Sequence, residues 1–250
     1  LKTEIRTIFR SAIRDDCNTI AQLFRISSEG VSDYVWSTLA DDYPGLTPIE
    51  IGAKRYANEE SLFSYKNCVL AQQAGEIAGM MLTFPIEDSK EATSGHAAPQ
   101  EIPLALTPEV VEAPGTWHAG HHVLFTNLQQ TRIVETQIEQ PTSILFEPSE
   151  PDVLDPYNLE APGTWYICAL ALFPEFRGQG IGTQFLSIAH QQAAARGFSE
   201  LSLLCFEQNT RALNLYQRNG FKVINFNPVV PHPLIHHTGD ILLMTAPVQF

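Results

Sequence analysis

The apolar positions fall into alternating runs and helical stripes that follow one another in a definite order. Residues 5–12 alternate and predict a first strand. Asp15 or Asp16 then stands where a helix is capped, and Ile20, Leu23, Phe24 and Ile26 follow at helical spacing. Residues 31–39 and 48–60 predict a second, broken helical region, with Tyr43-Pro44-Gly45 as the breaker. Residues 67–71 and 76–84 predict a hairpin across Gln73-Ala74-Gly75. After a long gap, the apolar run Leu170-Ala171-Leu172 reads as a strand, and an amphipathic helix extends to Arg196 with Gly197 as its stop. Residues 201–206 predict a strand, a helix follows from a cap at Asn209, and 221–224 and 241–248 supply the last two strands.

The gap spans residues 86–160, an unusually long connection for a compact domain. It holds 8 of the 17 prolines, and 13 Asp and Glu against Lys90 and Arg132. That net of −11 accounts for most of the chain's −13, so acidity belongs to the insert rather than to the remainder. Residues 122–125, 132–136 and 144–146 are strand-like in composition, so part of the insert is expected to fold, as a hairpin added to the core. Glu112-Ala113-Pro114-Gly115-Thr116-Trp117 recurs verbatim as Glu160-Ala161-Pro162-Gly163-Thr164-Trp165. A partial duplication explains the repeat, and the first copy carries Gln130, Arg132 and Val134 where the second leads to Gly178, Gly180 and Gly182. The first copy therefore has no glycine loop, and a structural role is expected for it.

Hydrophobic content of 44% and charged content of 17% describe an ordinary globular chain, expected to form one domain over residues 1–250 with the insert inside it. No apolar run approaches the ~18 residues of a membrane span, and Leu1-Lys2-Thr3-Glu4 does not read as a signal peptide. With no basic stripe to neutralise phosphates, nucleic-acid binding is disfavoured. Cys17, Cys68, Cys168 and Cys205 are widely spaced, without a Cys-x-x-Cys pair, and predict buried reduced thiols in a cytoplasmic protein. His118, His121 and His122, and again His232, His236 and His237, have spacings into which metal binding can be read. Both clusters lie in Pro- or Gly-rich segments, and the expectation is no metal.

The most informative run is the one that joins the Leu170-Ala171-Leu172 strand to its helix: Arg177-Gly178-Gln179-Gly180-Ile181-Gly182-Thr183. Glycines at every second position expose backbone N–H groups at a helix N-terminus, where the helix dipole also favours an anion. A dinucleotide fingerprint needs Gly-x-Gly-x-x-Gly, but the sixth positions are Thr183 and Phe185. A P-loop needs Gly-Lys-Ser/Thr, and no lysine lies between Lys90 and Lys222. What remains is Arg-x-x-Gly-x-Gly after an apolar strand. Downstream comes Asn209-Thr210-Arg211-Ala212-Leu213-Asn214-Leu215-Tyr216-Gln217-Arg218-Asn219-Gly220-Phe221.

Together these two motifs, covering about residues 164–224, resemble the GCN5-related N-acetyltransferase (GNAT) superfamily. The resemblance implies an α/β (α+β) fold, a mixed central sheet of about seven strands flanked by helices, with the acidic insert between the third and fourth strands. It implies acetyl-CoA as co-substrate, no metal, and a primary amine acceptor, a small molecule or a peptide. It further implies that Leu170, Ala171 and Leu172 pair through the main chain with the pantetheine arm in a wedge between two splayed strands. Arg177, Gly178, Gln179, Gly180, Ile181, Gly182 and Thr183 would hold the diphosphate. Asn209 would cap its helix, reach the pantetheine, or do both. Tyr216 stands where family members often keep the tyrosine that protonates the coenzyme A thiolate; packing in the core is its other reading. Dimers are common in the family.

The general base is not given by the resemblance. Relatives that acetylate protein N-termini carry a glutamate where this chain has Leu204. Glu207, Tyr166 and Cys168 are alternatives without a strong claim, and Glu29 and Asp33 are candidates on the acceptor side. The leading expectation is direct acetyl transfer in a ternary complex. If the acidic insert folds over the cleft, it favours a cationic acceptor by steering; otherwise its charges only solvate a surface excursion. A non-catalytic acyl-CoA-binding sensor or regulatory module is the alternative.

Overall fold

A computed structural model describes residues 6–87 and 152–249. Its elements are β1 (Thr7–Ser11), α1 (Cys17–Ser28), α2 (Val31–Thr38), α3 (Pro48–Tyr56), β2 (Cys68–Gln73), β3 (Glu76–Ile86), β4 (Thr164–Leu172), α4 (Ile181–Ala195), β5 (Glu200–Phe206), α5 (Thr210–Arg218), β6 (Lys222–Pro228) and β7 (Asp240–Pro247). The strands form one sheet in the order β1-β2-β3-β4-β5-β7-β6. Only β4 and β5 run parallel; the other neighbours are antiparallel.

Alternation of side chains along each strand divides the apolar residues between two faces. Leu70, Met80, Leu82 and Phe84 pack with Ile20, Leu23 and Trp36 of α1 and α2. Their neighbours Val69, Ala71 and Met81 face the other way, onto Phe185, Leu186 and Ala189 of α4. The sheet is thus covered on both sides, which the near-continuous burial of β3 and β4 requires.

Most of the expected elements are present, with differences that have local causes. The β2–β3 hairpin turns at Ala74 and Gly75, both at positive φ, as a two-residue turn between right-twisted strands demands. The helix α3 starts at a capping box, Thr47 with Glu50, and ends at Tyr56, short of residue 60. Asp16 does not cap α1 with its side chain. Its carboxylate instead takes two hydrogen bonds from Arg10, at 2.7 and 2.9 Å, and one from the Ile13 amide at 2.8 Å.

The insert separates β3 from β4 at the closed end of their ladder, where Ile86 faces Thr164. Its last residues belong to the core rather than to a surface excursion. Tyr157 and Leu159 are buried on the α1–α3 side, and the Asn227 amide donates to the Pro156 carbonyl at 3.2 Å. The second copy of the repeated hexapeptide closes this path. Gly163 N–H donates to Ile86 O at 2.8 Å, and the Thr164 hydroxyl shares a 2.6 Å hydrogen bond with Ser202, fastening β4 to β5. The first copy, the strand-like runs at 122–125, 132–136 and 144–146, and the histidines at 118, 121 and 122 lie outside the described residues.

Candidate active site

The parallel pairing of β4 and β5 lasts for three residues, Trp165, Tyr166 and Ile167, and then stops. One residue further on, Cys168 is the extra residue of a bulge against β3: Ile167 faces Thr83, Ala169 faces Leu82, and Cys168 faces nothing. A bulge bends its strand and re-aims its side chains, and here it turns β4 away from β5. Residues 169–172 keep their pairing to β3 on one side, while β5 is paired to β7 on its own far side. The wedge between them is lined by the main chain and side chains of Leu170, Ala171 and Leu172 and by Leu204 and Cys205. It opens into a cleft of about 1140 Å³.

At one end of the cleft lies the glycine loop. Gly178 and Gly180 have φ of +76° and +79°, where a side chain is strained whatever the space around it. Gly180 is the N-cap of α4, so the amides of the first helical turn, at Ile181, Gly182 and Thr183, point to the cleft mouth. Gly182 answers a different need: a Cβ there would sit 3.0 Å from Leu215 of α5. Gly178, Gly180, Ile181, Gly182 and Thr183 all line the cleft, but the side chain of Ile181 is fully buried and only its backbone is available. Gln179 does not line it; its amide turns back to the Glu175 carbonyl at 3.2 Å. Arg177 is half-buried, with Nε donating to Leu172 O at 3.1 Å, so the side chain ties the loop to the end of β4.

Further in, Tyr216 hangs from α5 into the wedge and is also part of the core, its ring 5.8 Å from that of Phe221. The core packing expected of Tyr216 is therefore present, and the residue lines the cleft as well. Burial pushes its phenol well above the ordinary tyrosine value, with a smaller push from Cys205. Burial raises the Cys168 thiol strongly and the Cys205 thiol up to about 12, the Glu29 charge adding to the latter. Tyr166 is likewise raised by burial. None of these groups is ionised near neutrality, so none offers a base or a ready thiolate nucleophile.

At the other end the cleft meets side chains from distant parts of the chain. Asn209 caps α5, its Oδ1 accepting from the Ala212 amide at 3.1 Å, and its Nδ2 donates to Glu29 Oε1 at 2.8 Å. Glu29 closes α1 in the left-handed conformation, φ +46°. Its other carboxylate oxygen meets Nε2 of His237, whose ring is stacked on Phe206 at 3.9 Å. The Asn209–Glu29 contact joins residues 180 apart in sequence. The other candidates are elsewhere: Asp33 is paired with Arg25 at 2.9 Å, and Glu207 lies at the exposed β5–β7 end near Asp240. His232 packs on Tyr34 rather than joining His236 and His237 in a cluster, and among the described residues no group of three or more His, Cys, Asp or Glu is arranged to hold a metal.

The electrostatics of the cleft invert those of the whole chain. Among the described residues its lining carries Arg55, Arg177, Arg211 and Arg218, but of the carboxylates only Glu29. Arg177 belongs to the loop and Arg218 to the end of α5, towards the end suited to an anion; Glu29 stands at the other, beside the Asn209 cap and the first turn of α5 that holds Arg211. The volume exceeds the ~300–1,000 Å³ of a pocket for one drug-sized ligand, and the two charged ends are suited to two different molecules.

Residues 145–221 match the family model described as Acetyltransferase (GNAT) family. Among solved structures, the fold is shared with a crystal structure of an acetyltransferase at TM-score 0.55 and 20% identity, covering 97% of this chain and 100% of that one. It is also shared with an N-acetyltransferase from Staphylococcus aureus Mu50, at TM-score 0.53 and 16% identity, covering 96% and 100%. No curated protein matches the sequence.

Proposed function

We propose, from the match of residues 145–221 to the acetyltransferase (GNAT) family model, that the protein moves an acetyl group from acetyl-CoA directly to a primary amine in a ternary complex. The observation that carries this reading is the single cleft running from the glycine loop, along the unpaired edge of β4, to Tyr216 and then Glu29. Backbone amides at the start of α4 receive the diphosphate, assisted by Arg218 at the end of α5. The main chain of residues 168–172 receives the pantetheine arm as an added strand. Main-chain N–H groups on that same edge face the thioester carbonyl and stabilise charge developing on its oxygen.

Tyr216 then meets the leaving sulfur. Its raised pKa keeps the proton on the hydroxyl, so it stays a hydrogen-bond donor but is a reluctant acid. The hydroxyl therefore stabilises the thiolate first, and full protonation draws on a proton released by the attacking nitrogen. Cys168 and Cys205, held protonated by burial, favour direct attack by the amine over a covalent acetyl-cysteine.

The test is amine-dependent thiol release from acetyl-CoA, measured across a broad amine panel on wild type and Tyr216→Phe. Expected is turnover by the wild type, with kcat lowered about 10- to 100-fold in the variant and acetyl-CoA affinity retained. Tight acetyl-CoA binding with no thiol release for any amine would instead support the non-catalytic binding module.

A further inference from the structure

We propose that Glu29 is the group that receives and deprotonates the acceptor, that His237 positions it, and that the acceptor is a primary ammonium carried on an apolar or aromatic body. The inference rests on the acyl-transfer reading above.

Four observations place the amine at Glu29. Among the described residues lining the cleft it is the sole carboxylate, while the lining also carries four arginines. An ammonium is repelled from Arg55 across the cleft and from the arginines of the anion-binding end, and attracted to one place. Second, one carboxylate oxygen accepts a hydrogen bond from Asn209 and the other is in ion-pair contact with His237 Nε2, which limits the group's freedom to swing. Third, its residual side-chain exposure of 31% is turned to the cleft, whereas His237 is only 6% exposed and has no direct route to a ligand. Both ring nitrogens of His237 are buried without a hydrogen-bond partner among the described residues, and Nε2 is in ion-pair contact with the Glu29 carboxylate. Fourth, Glu29 occupies a left-handed backbone conformation that a glycine or asparagine would adopt at lower cost. Its retention there is accounted for by the placement of the carboxylate.

The body of the acceptor follows from the walls beside Glu29. Phe24, Trp36, Tyr56, Phe63, Tyr157 and Tyr166 line that half of the cleft. Such a lining favours burial of an apolar or aromatic group and offers ring faces to the adjacent ammonium. It does not provide the second anionic site that a polyamine needs.

The proton balance is simple. The ammonium gives one proton to the Glu29 carboxylate, leaving a neutral amine and a carboxylic acid. The nitrogen lone pair forms the new C–N bond to the acetyl carbon, and the C–S bond breaks with its electron pair staying on sulfur. The second nitrogen proton ends on that sulfur by way of Tyr216, and Glu29 returns its own proton to solvent.

Glu29→Gln separates this from a bracing role, because the amide oxygen still accepts from Asn209. The probes are phenethylamine, an ammonium at neutral pH, and aniline, already neutral there. Expected is a loss of about 100-fold in kcat/KM for phenethylamine, a change within about threefold for aniline, and unchanged acetyl-CoA affinity and Tm. His237→Phe, which preserves the stack on Phe206, is expected to lower kcat for phenethylamine about 10-fold with KM little changed. Equal losses for both amines reduce Glu29 to a brace and overturn the proposal, as does no loss for either. Acetylation of hydrophilic polyamines with neither probe accepted overturns the acceptor class while leaving acyl transfer standing. Absence of thiol release with every amine overturns both readings. If Glu29→Gln does not fold, Glu29→Asp carries the same comparison, since it keeps the charge but withdraws it from the amine.

Discussion

The two ends of the cleft are built in different ways. The anion-binding end is made by one continuous stretch, from β4 through the glycine loop and α4 to α5, and it works largely through main-chain groups. The acceptor end is made of side chains from the α1–α2 turn, α3, the segment before β4, the end of β5 and the β6–β7 loop. One is therefore written in local sequence and the other in tertiary crossings. The crossing that matters most is at Gly30, where the β6–β7 loop passes so close that a Cβ would lie 1.7 Å from the Leu234 carbonyl oxygen. The same approach lets the His236 amide bond to Glu29 O at 3.1 Å and brings His237 to the Glu29 carboxylate.

This difference can be broken from either side. Gly30→Ala carries the largest expected effect. It combines a backbone clash with φ of +106° and displaces the loop that holds His237. A stability loss of about 3 kcal/mol in thermal or denaturant melts is expected. Amine turnover should fall about 100-fold, while acetyl-CoA affinity stays within a few-fold. Equal damage to both ends would mean that they are not separable. Gly180→Val is the reciprocal change. A β-branched residue at φ +79° costs about 2 kcal/mol, so acetyl-CoA binding should weaken about 30-fold by calorimetry. The Glu29–His237 pair should be untouched, and amine KM at saturating acetyl-CoA should be unchanged.

Asp16→Asn touches neither end and sets the scale for a purely structural loss. Burial opposes ionisation of Asp16, but the Arg10 guanidinium and the Ile13 amide outweigh it and hold its carboxyl below the usual range. A depressed folded pKa gives stability that is present above the unfolded value, about 3.9, and is lost as pH falls through the folded value. The variant should be about 1–2 kcal/mol less stable at pH 7. The deficit should shrink as pH drops below about 4, and kcat/KM should be unaltered throughout. A deficit independent of pH would remove the ion pair as its cause.

How much of this was legible in the sequence follows the same division. Glycine spacing and the Asn209-to-Phe221 motif identify the loop, the wedge strands and α5, because left-handed turns, helix caps and parallel-strand positions leave local marks. Asn209 as a cap and the Ala74-Gly75 turn are read correctly for that reason. Gln179 is placed in the cofactor set by contiguity alone, and its side chain turns away from the cleft. Asp16 looks like a cap because the signal for capping cannot reveal an arginine on the neighbouring strand. His237 reads as part of a metal-spaced cluster, since nothing near it in sequence announces Glu29. The clue that was available is Glu29-Gly30 itself, a carboxylate directly before a glycine at a helix end. Tyr157 and Leu159 fall within the acidic segment 86–160 because composition averages over 75 residues, whereas two buried side chains decide where the core resumes.

The central claim, that one cleft holds donor and acceptor together, is tested most directly by the initial-rate pattern of thiol release. Acetyl-CoA is varied at several fixed concentrations of phenethylamine, with the N-acetylated product identified by mass. The account predicts intersecting double-reciprocal lines and one N-acetyl product per thiol, because both substrates must be bound before the amine attacks. Parallel lines, the signature of an acetylated enzyme intermediate, or thiol release indifferent to the amine, would contradict it.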